Sequence, residues 1–160
     1  MRFAKGKLFF NRDEIECLSY DESAVDYYAF LKESRAKGYR QVIVTSEVML
    51  DLIAFIYSAK QQKVYRIELM EEDDELQIEI KELLKNIDVN PYAIHLLIEK
   101  LRFLAEKSSI DIKRVYIKSN HTGDSENYFI QANGIIGVDE MHYASVTQEI
   151  SAYVKRCLKG

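Results

Sequence analysis

The succession of apolar patterns between residues 41 and 70 restricts the fold more than any other sequence feature. A β-branched run, Val42-Ile43-Val44, precedes a segment whose apolar residues cover most of a helix circumference. Val64 to Met70 then alternates as a strand does. A helix that is apolar on so many sides is typical of one buried between other elements. Strand, helix and strand within about 30 residues indicate a βαβ unit, so we expect two parallel strands and a right-handed crossover.

A hairpin is predicted before this unit. Strand-like runs at residues 7–10 and 15–20 flank a polar turn at residues 11–14. Asp21 follows as a candidate N-cap of a helix, which Gly38 would end because glycine adopts left-handed backbone angles readily.

A second hairpin and a final helix are predicted near the other end of the sequence. Asn133-Gly134 separates two apolar runs, residues 128–132 and 135–139, and is the strongest short-range hairpin signal. We expect a type I′ turn, which requires positive φ at both residues. Ser145 and Gln148 form a candidate capping box for a helix whose apolar stripe ends at Cys157.

The segment between the two halves is harder to interpret. Residues 76–80 alternate between apolar and polar, which favours a strand up to Ile80 and a short helix after it, although one continuous helix fits the same spacing. Asn90-Pro91 marks the start of the next helix, because proline suits the first helical position. The core is predicted to depend on Ile53, Phe55, Leu97 and Leu101.

These elements predict a mixed α/β protein that forms one domain over residues 1–160, with an α+β arrangement as the alternative. A chain of 160 residues that is 48% hydrophobic can bury a core without disulfides, so Cys17 and Cys157 are expected to be free thiols. No apolar run is long enough to span a bilayer, and the first ten residues lack the pattern of a signal peptide. A cytoplasmic location is therefore expected.

Charge is distributed unevenly along the chain. The net charge is −4, but residues 71–82 hold seven acids and one lysine, a net of −6, which leaves +2 for the rest. Five of the acids are consecutive: Glu71, Glu72, Asp73, Asp74 and Glu75. They are interpreted either as a docking surface for a protein with a basic surface, or as a solvated turn or helix N-terminus. No basic stripe runs along the sequence, so nucleic acid is not favoured as a partner.

A candidate metal site depends on the second hairpin. That hairpin would bring the polar loop at residues 119–127 and the segment at residues 139–142 to the same end of the sheet. The ligands would be His121, Asp124, Asp139 and His142, and Glu126 or Glu140 would be the general base. Such donors suit zinc or manganese, and a bound water would be activated for hydrolysis. Solvated loop residues are the alternative interpretation.

Other patterns give weaker signals. Thr45-Ser46 could bind phosphate at a helix N-terminus, but helix capping explains both hydroxyls and no glycine-rich loop accompanies them. Glu79-Ile80-Lys81 resembles a nuclease triplet that is expected by chance in so charged a sequence, and His95 lies in an ordinary helical pattern. The sequence therefore favours a non-catalytic binding or inhibitor-like module without a cofactor. A small hydrolase that uses a divalent metal is the alternative, and homo-oligomerisation is left open.

Overall fold

The computed structural model describes residues 3–59, 62–119 and 127–159, and these ranges contain seven strands and five α-helices. The strands are β1 (Phe3–Asn11), β2 (Glu14–Ser19), β3 (Arg40–Gln41), β4 (Gln62–Leu69), β5 (Ile112–Ser119), β6 (Asn127–Gln131) and β7 (Ile135–Asp139). The helices are α1 (Tyr27–Ala36), α2 (Ser46–Ala59), α3 (Asp74–Val89), α4 (Ile94–Lys107) and α5 (Tyr143–Lys159). Short 3₁₀ helices, Pro91–Ala93 and Glu140–His142, precede α4 and α5.

All seven strands belong to one sheet, in the order β2-β1-β7-β6-β5-β4, and β3 adds a short pairing to β1. Every pairing within the described residues is antiparallel. The chain is a mixed α/β protein of one domain with an N-terminal hairpin and a C-terminal helix, as predicted. Its antiparallel sheet is the arrangement that the α+β alternative implied.

The predicted parallel pairing is wrong. Strand, helix and strand do follow one another as β3, α2 and β4, but β3 pairs with β1 while β4 forms the opposite edge of the sheet. Because every neighbouring pair is antiparallel, β4 runs in the same direction as β1, and β3 runs in the opposite direction to both. Val42 and Val44 instead bond to β1 and to the β6–β7 turn, through Val42 N to Leu8 O at 3.3 Å and Val44 N to Ala132 O at 2.8 Å.

The β6–β7 hairpin is confirmed, but its turn is not of type I′. Gly134 has a φ of +84°, whereas the φ of Asn133 is not positive. Gly134 N donates to Gln131 O at 2.9 Å, and three residues, 132–134, connect the strands. A three-residue loop commonly consists of a turn that most residues can adopt, followed by one left-handed residue. Only the glycine of the predicted pair therefore needs a special conformation.

Residues 76–80 are helical, so the predicted strand there is wrong. They belong to α3, a single helix of 16 residues that begins at an Asp73 N-cap and buries Ile80, Leu84 and Ile87. The alternation at residues 76–80 fits a strand, but a single helix also buries the apolar residues that follow, Leu84 and Ile87. Ile78, the residue that only the strand pattern required to be buried, is exposed.

Two predicted helix caps are also wrong. The N-cap of α1 is Asp26, whose side chain accepts a hydrogen bond from Ala29 N. Asp21 instead accepts hydrogen bonds from Ser23 in a local turn. The helix α5 begins at Tyr143, so Ser145 lies inside it and donates to His142 O rather than capping. The helix α1 therefore begins later than predicted, after the turn at Asp21. The helix α5 begins earlier than predicted, directly after the 3₁₀ helix Glu140–His142.

The main core lies between one face of the sheet and the helices α2 to α5. Buried residues of α2 contact β4 and β5 as well as α4 and α5, which confirms that this helix is enclosed on several sides. Ile53, Leu97 and Leu101 are buried as predicted, whereas Phe55 is only partly buried, against the ring of Tyr153 at 4.7 Å. In the described part of the chain, no helix is both long and apolar enough to cross a membrane.

On the other face of the sheet, α1 packs mainly on β1 and β2, and the cluster beneath it also includes Ile135 of β7 and Phe129 of β6. Its Tyr27 and Phe30 pack against Tyr20, with ring centres 5.6 and 4.8 Å from the Tyr20 ring. Phe30 also contacts Phe9 of β1 at 5.8 Å. No helix in the described residues packs over the other half of this face, which is formed mainly by β4 and β5.

Candidate functional site

The five consecutive acids lie between β4 and α3. Asp73 has a structural role, because its Oδ1 accepts a hydrogen bond from Leu76 N at 3.1 Å and caps the helix. Asp74 and Glu75 occupy the first turn of α3, where the helix dipole stabilises carboxylates. Four of the five acidic side chains are exposed, namely those of Glu71, Glu72, Asp74 and Glu75. The segment is thus both a helix start and an acidic surface.

An apolar cleft of about 300 Å³ lies between β4 and α3. Its apolar lining residues are Tyr65, Ile67, Ile78, Ile80 and Leu84. Ile78 is 62% exposed and follows Asp74 by one helical turn, a spacing that makes the two side chains neighbours on the helix surface. Met70, just before the acids, is also exposed. Exposed apolar surface and exposed carboxylates therefore adjoin at this junction.

The structure describes only part of the predicted metal site. His142 Nδ1 lies 3.5 Å from Asp139 Oδ2, and both side chains are mostly buried. Glu140 is exposed in the 3₁₀ helix between them. His121, Asp124 and Glu126 lie outside the described residues. Among the residues that are described, no group of three His, Cys, Asp or Glu side chains could hold a metal ion.

The weaker sequence candidates have structural roles. Thr45 Oγ1 accepts a hydrogen bond from Val48 N at 3.3 Å, as a helix cap does. Ser46 instead joins two elements, because its hydroxyl donates to Asp111 Oδ1 at 2.7 Å and accepts from Ile112 N at 3.0 Å. Glu79 is on the helix α3, not on a strand, and forms an ion pair with Lys100 at 2.8 Å.

A row of aromatic rings crosses the uncovered half of the sheet. Tyr65 of β4 lies 5.7 Å from Tyr116 of β5, and Tyr116 lies 5.7 Å from Phe129 of β6. Phe129 in turn lies 6.3 Å from Phe3 of β1. The row reaches β1 across β7 because Gly137, which faces Phe129 in the sheet register, has no side chain. A Cβ at this glycine would overlap the Phe129 ring. We name these four rings the aromatic row.

Cationic side chains accompany the aromatic row. The guanidinium of Arg114 lies 4.6 Å from the centre of the Phe129 ring, and that of Arg66 lies 5.3 Å from the Tyr116 ring. Lys118 Nζ lies 5.4 Å from the centre of the Tyr65 ring. Each of these distances is within the range of a cation–π interaction. Positive charge therefore lies beside three of the four rings.

Hydrogen bonds hold Tyr116 in the middle of the row. Arg114 donates from Nη1 to Tyr116 Oη at 2.7 Å and from Nη2 to Gln131 Oε1. Tyr116 Oη donates to Glu68 Oε1 at 2.7 Å, and Arg66 Nη2 lies 3.4 Å from that same oxygen. Glu68 thus contacts a phenol and a cation, which offset its charge.

A buried lysine lies beneath α1 on the same face. Lys7 of β1 is 0% exposed, and its Nζ donates to Asn133 O in the β6–β7 turn. The ammonium lies 5.6 Å from the Phe9 ring centre and 5.9 Å from that of Tyr27. No described carboxylate forms an ion pair with it, and burial lowers the pKa of Lys7 to about 8. Rings and one carbonyl therefore solvate this ammonium.

Sequence reasoning missed the aromatic row and its cations. One signal was present: in β5, Arg114, Tyr116 and Lys118 alternate with Val115 and Ile117, as in a strand with one buried face. The row itself depends on the register of four strands that are distant in sequence, which no local pattern specifies.

Comparisons with protein-family models, characterised proteins and solved structures found no match to this chain.

Proposed function

We propose that this chain is a non-catalytic binding module that recognises a protein partner with a basic surface. The observation that carries the proposal is the junction of β4 and α3, where four exposed carboxylates adjoin an apolar cleft. Protein interfaces combine an apolar centre with a polar rim, and the cleft and the acids supply these two parts. An inhibitor-like or regulatory role in the cytoplasm fits such a module.

The acids and the cleft would contribute differently to binding. Carboxylates at Glu71, Glu72, Asp74 and Glu75 attract a basic partner over a distance and mainly raise the association rate, which salt reduces. An apolar side chain of the partner that enters the cleft beside Ile78 would mainly slow dissociation, because buried anchors contribute most of the affinity of an interface. The two contributions can be separated by salt.

The first experiment is co-purification from the native host in low and then high salt, followed by calorimetry with the isolated partner. The test variant reverses four charges (Glu71→Lys, Glu72→Lys, Asp74→Lys and Glu75→Lys) and keeps the Asp73 cap. Its matched control reverses four exposed acids elsewhere (Glu33→Lys, Glu99→Lys, Glu106→Lys and Glu149→Lys). We expect the partner to be lost only from the test variant.

A second variant examines the cleft. Ile78→Ser keeps the charge of the junction and alters only exposed surface, so the fold should be retained. It should speed dissociation of the partner and leave the salt dependence of association unchanged. A partner that binds both variants as it binds the parent, or that ignores salt, would contradict the proposal.

A metal-dependent hydrolase is the second candidate function. The contact between Asp139 and His142 supports it, because these two donors lie together at the end of β7. Its ligands would include His121 and Asp124, and Glu126 or Glu140 would activate the bound water. Metal binding to the folded protein, measured as described in the Discussion, distinguishes this candidate from the first.

A further inference from the structure

The aromatic row and its cations form a second surface, separate from the acids of α3. We propose that this half of the sheet binds single-stranded nucleic acid, with unpaired bases stacked on the rings and phosphates near Arg66, Arg114 and Lys118. The proposal does not depend on the protein-binding function. Most of the row lies on the face of the sheet opposite the helices α2 to α5, but Tyr65 and Arg66 also line the cleft beside α3, so the two surfaces adjoin at β4.

The exposed ends of the row supply the stacking surface. Tyr65 is 42% exposed and Phe3 is 46% exposed, whereas Phe129 between them is covered by Arg114. Every base has a flat π-face, so a row of rings can bind a strand of any sequence. Bases are expected on Tyr65 and Phe3 and on the guanidinium planes between them.

The charge on this surface fits a polyanion. Three cationic groups lie within 5.4 Å of ring centres in the row, and the one carboxylate among them, Glu68, already contacts Tyr116 and Arg66. Around Tyr65, Tyr116 and Phe129 the cations therefore outnumber the one carboxylate, although the net charge of the whole chain is −4. At the other end of the row, Phe3 pairs with Asp139. The sequence showed no basic stripe because these cations come from β4 and β5, which are about fifty residues apart along the chain.

A single strand fits this surface better than a duplex does. In a duplex the bases are stacked on one another and cannot reach rings on a sheet, while unpaired bases can be splayed onto aromatic side chains. Duplex binding also needs a stripe of many cations along the phosphates, and the aromatic row has three. The row is thus a stacking surface with a modest electrostatic contribution.

The experiment measures fluorescence anisotropy of labelled oligonucleotides of roughly twelve nucleotides, a length within the usual site size. The probes are oligo-uridine, oligo-thymidine and a duplex, each at about 50 and 200 mM salt, the range over which phosphate contacts weaken strongly. We expect binding of the single strands that is at least tenfold tighter than binding of the duplex and that weakens in salt. The two single strands show whether RNA or DNA is preferred.

Four variants locate the site. Tyr65→Ala and Phe3→Ala should each reduce the affinity for single strands at least fivefold, since a stacked base contributes about that much or more. Arg66→Gln should reduce both the affinity and its salt dependence. Tyr92→Ala is the matched control, because Tyr92 is an exposed ring before α4, on the helical side of the sheet, and it should bind as the parent does.

The outcomes decide between the proposal and its rivals. No binding of either single strand at low salt would overturn it, as would binding that Tyr65→Ala, Phe3→Ala and Arg66→Gln leave unchanged. Heparin that competes fully while the two ring variants bind normally would also overturn it, since charge alone would then explain binding. Phe3 does not line the cleft beside α3, so Phe3→Ala should weaken nucleic-acid binding and leave protein binding intact, which distinguishes failure here from failure of the protein-binding function.

Discussion

The ring of Phe129 occupies the space that a side chain at Gly137 would need. The two residues face each other across β6 and β7, and a Cβ on Gly137 would overlap the ring. The glycine thereby lets Phe129 lie across β7 toward Phe3, 6.3 Å away. A small residue in one strand and a large ring in the next form a single unit, which mutations can test.

Gly137→Ala is expected to destabilise the protein by about 1–3 kcal/mol, the usual cost of overpacking. Urea unfolding measures the change. Phe129→Ala removes the obstacle, so the double variant should be less destabilised than the sum of the single changes, by at least about 1 kcal/mol. Strict additivity would show that the two side chains are not coupled.

Lys7 predicts that stability rises with pH just above neutrality. Burial lowers its pKa from 10.5 to about 8, so between these values the unfolded chain binds more protons than the folded protein. The free energy of unfolding therefore increases as the pH rises from about 8. Cys17 acts in the opposite direction from pH 9 upward, because burial raises its thiol pKa from 9.0 to about 11.

The informative interval for Lys7 is therefore pH 8 to pH 9. Over it the gain should be about 1 kcal/mol, at 1.4 kcal/mol per unit of complete proton release. Urea unfolding of the parent and of Lys7→Met measures it. The variant should lack the rise, and a rise of the same size in Lys7→Met would assign the effect to another group.

The β6–β7 turn predicts unequal effects for its two central residues. Gly134→Val should destabilise strongly, because valine disfavours a φ of +84° and its Cβ would lie 2.6 Å from Val42 O. Asn133→Ala should cost less, about 1 kcal/mol, since it loses side-chain hydrogen bonds to Gln131, Ile135 and Tyr27 but requires no change of backbone conformation. Thermal unfolding compares the two, and equal costs would favour the type I′ turn.

The core residues of α2 and α4 should differ in their cost of truncation. Leu101 is 1% exposed, so Leu101→Ala should cost about 2–5 kcal/mol. Phe55 is only partly buried against Tyr153, and Phe55→Ala should fall at or below the lower end of the 3–5 kcal/mol typical for a buried phenylalanine. Denaturant titration of both variants tests the order.

A thermal scan with zinc, manganese or magnesium tests the hydrolase candidate. A metal bound by the folded state alone stabilises it by about 2.7 kcal/mol at a hundredfold excess over the dissociation constant. If the protein is the binding module proposed above, none of the three metals should raise its melting temperature. A rise that His121→Ala or His142→Ala removes would favour the hydrolase instead.

Local structure could be predicted from the sequence because its determinants are close together along the chain. The turn between β1 and β2, the Asn90-Pro91 helix start and the buried stripe of α5 each depend on a few neighbouring residues. Residues 76–80 show the limit of such patterns. Their alternation fits two structures, and the Asp73 cap together with the later apolar residues Leu84 and Ile87 decides for the helix.

Strand pairing could not be predicted in the same way. An apolar helix between two strands usually joins parallel neighbours, but β3 and β4 lie in different parts of the sheet because β1 and β5 provide their partners. The two candidate surfaces differ in the same way, since one depends on neighbouring residues and the other on strand pairing. The acids were visible in the sequence, whereas the aromatic row exists only once Phe3, Tyr65, Tyr116 and Phe129 are in register.

The pairing of β1 with β7 has a consequence for how the molecule assembles. Phe3 of β1 pairs with Asp139 of β7, and Lys7 pairs with Ile135, so contacts in the middle of the sheet join residues more than a hundred positions apart. During synthesis β1 and β2 emerge long before β7, and until then the inner edge of β1 is paired only with β3, at Phe9 and Phe10. Such long-range contacts slow folding, and an open edge favours pairing with other chains. Nascent chains that stall before β7 are therefore the form most exposed to aggregation.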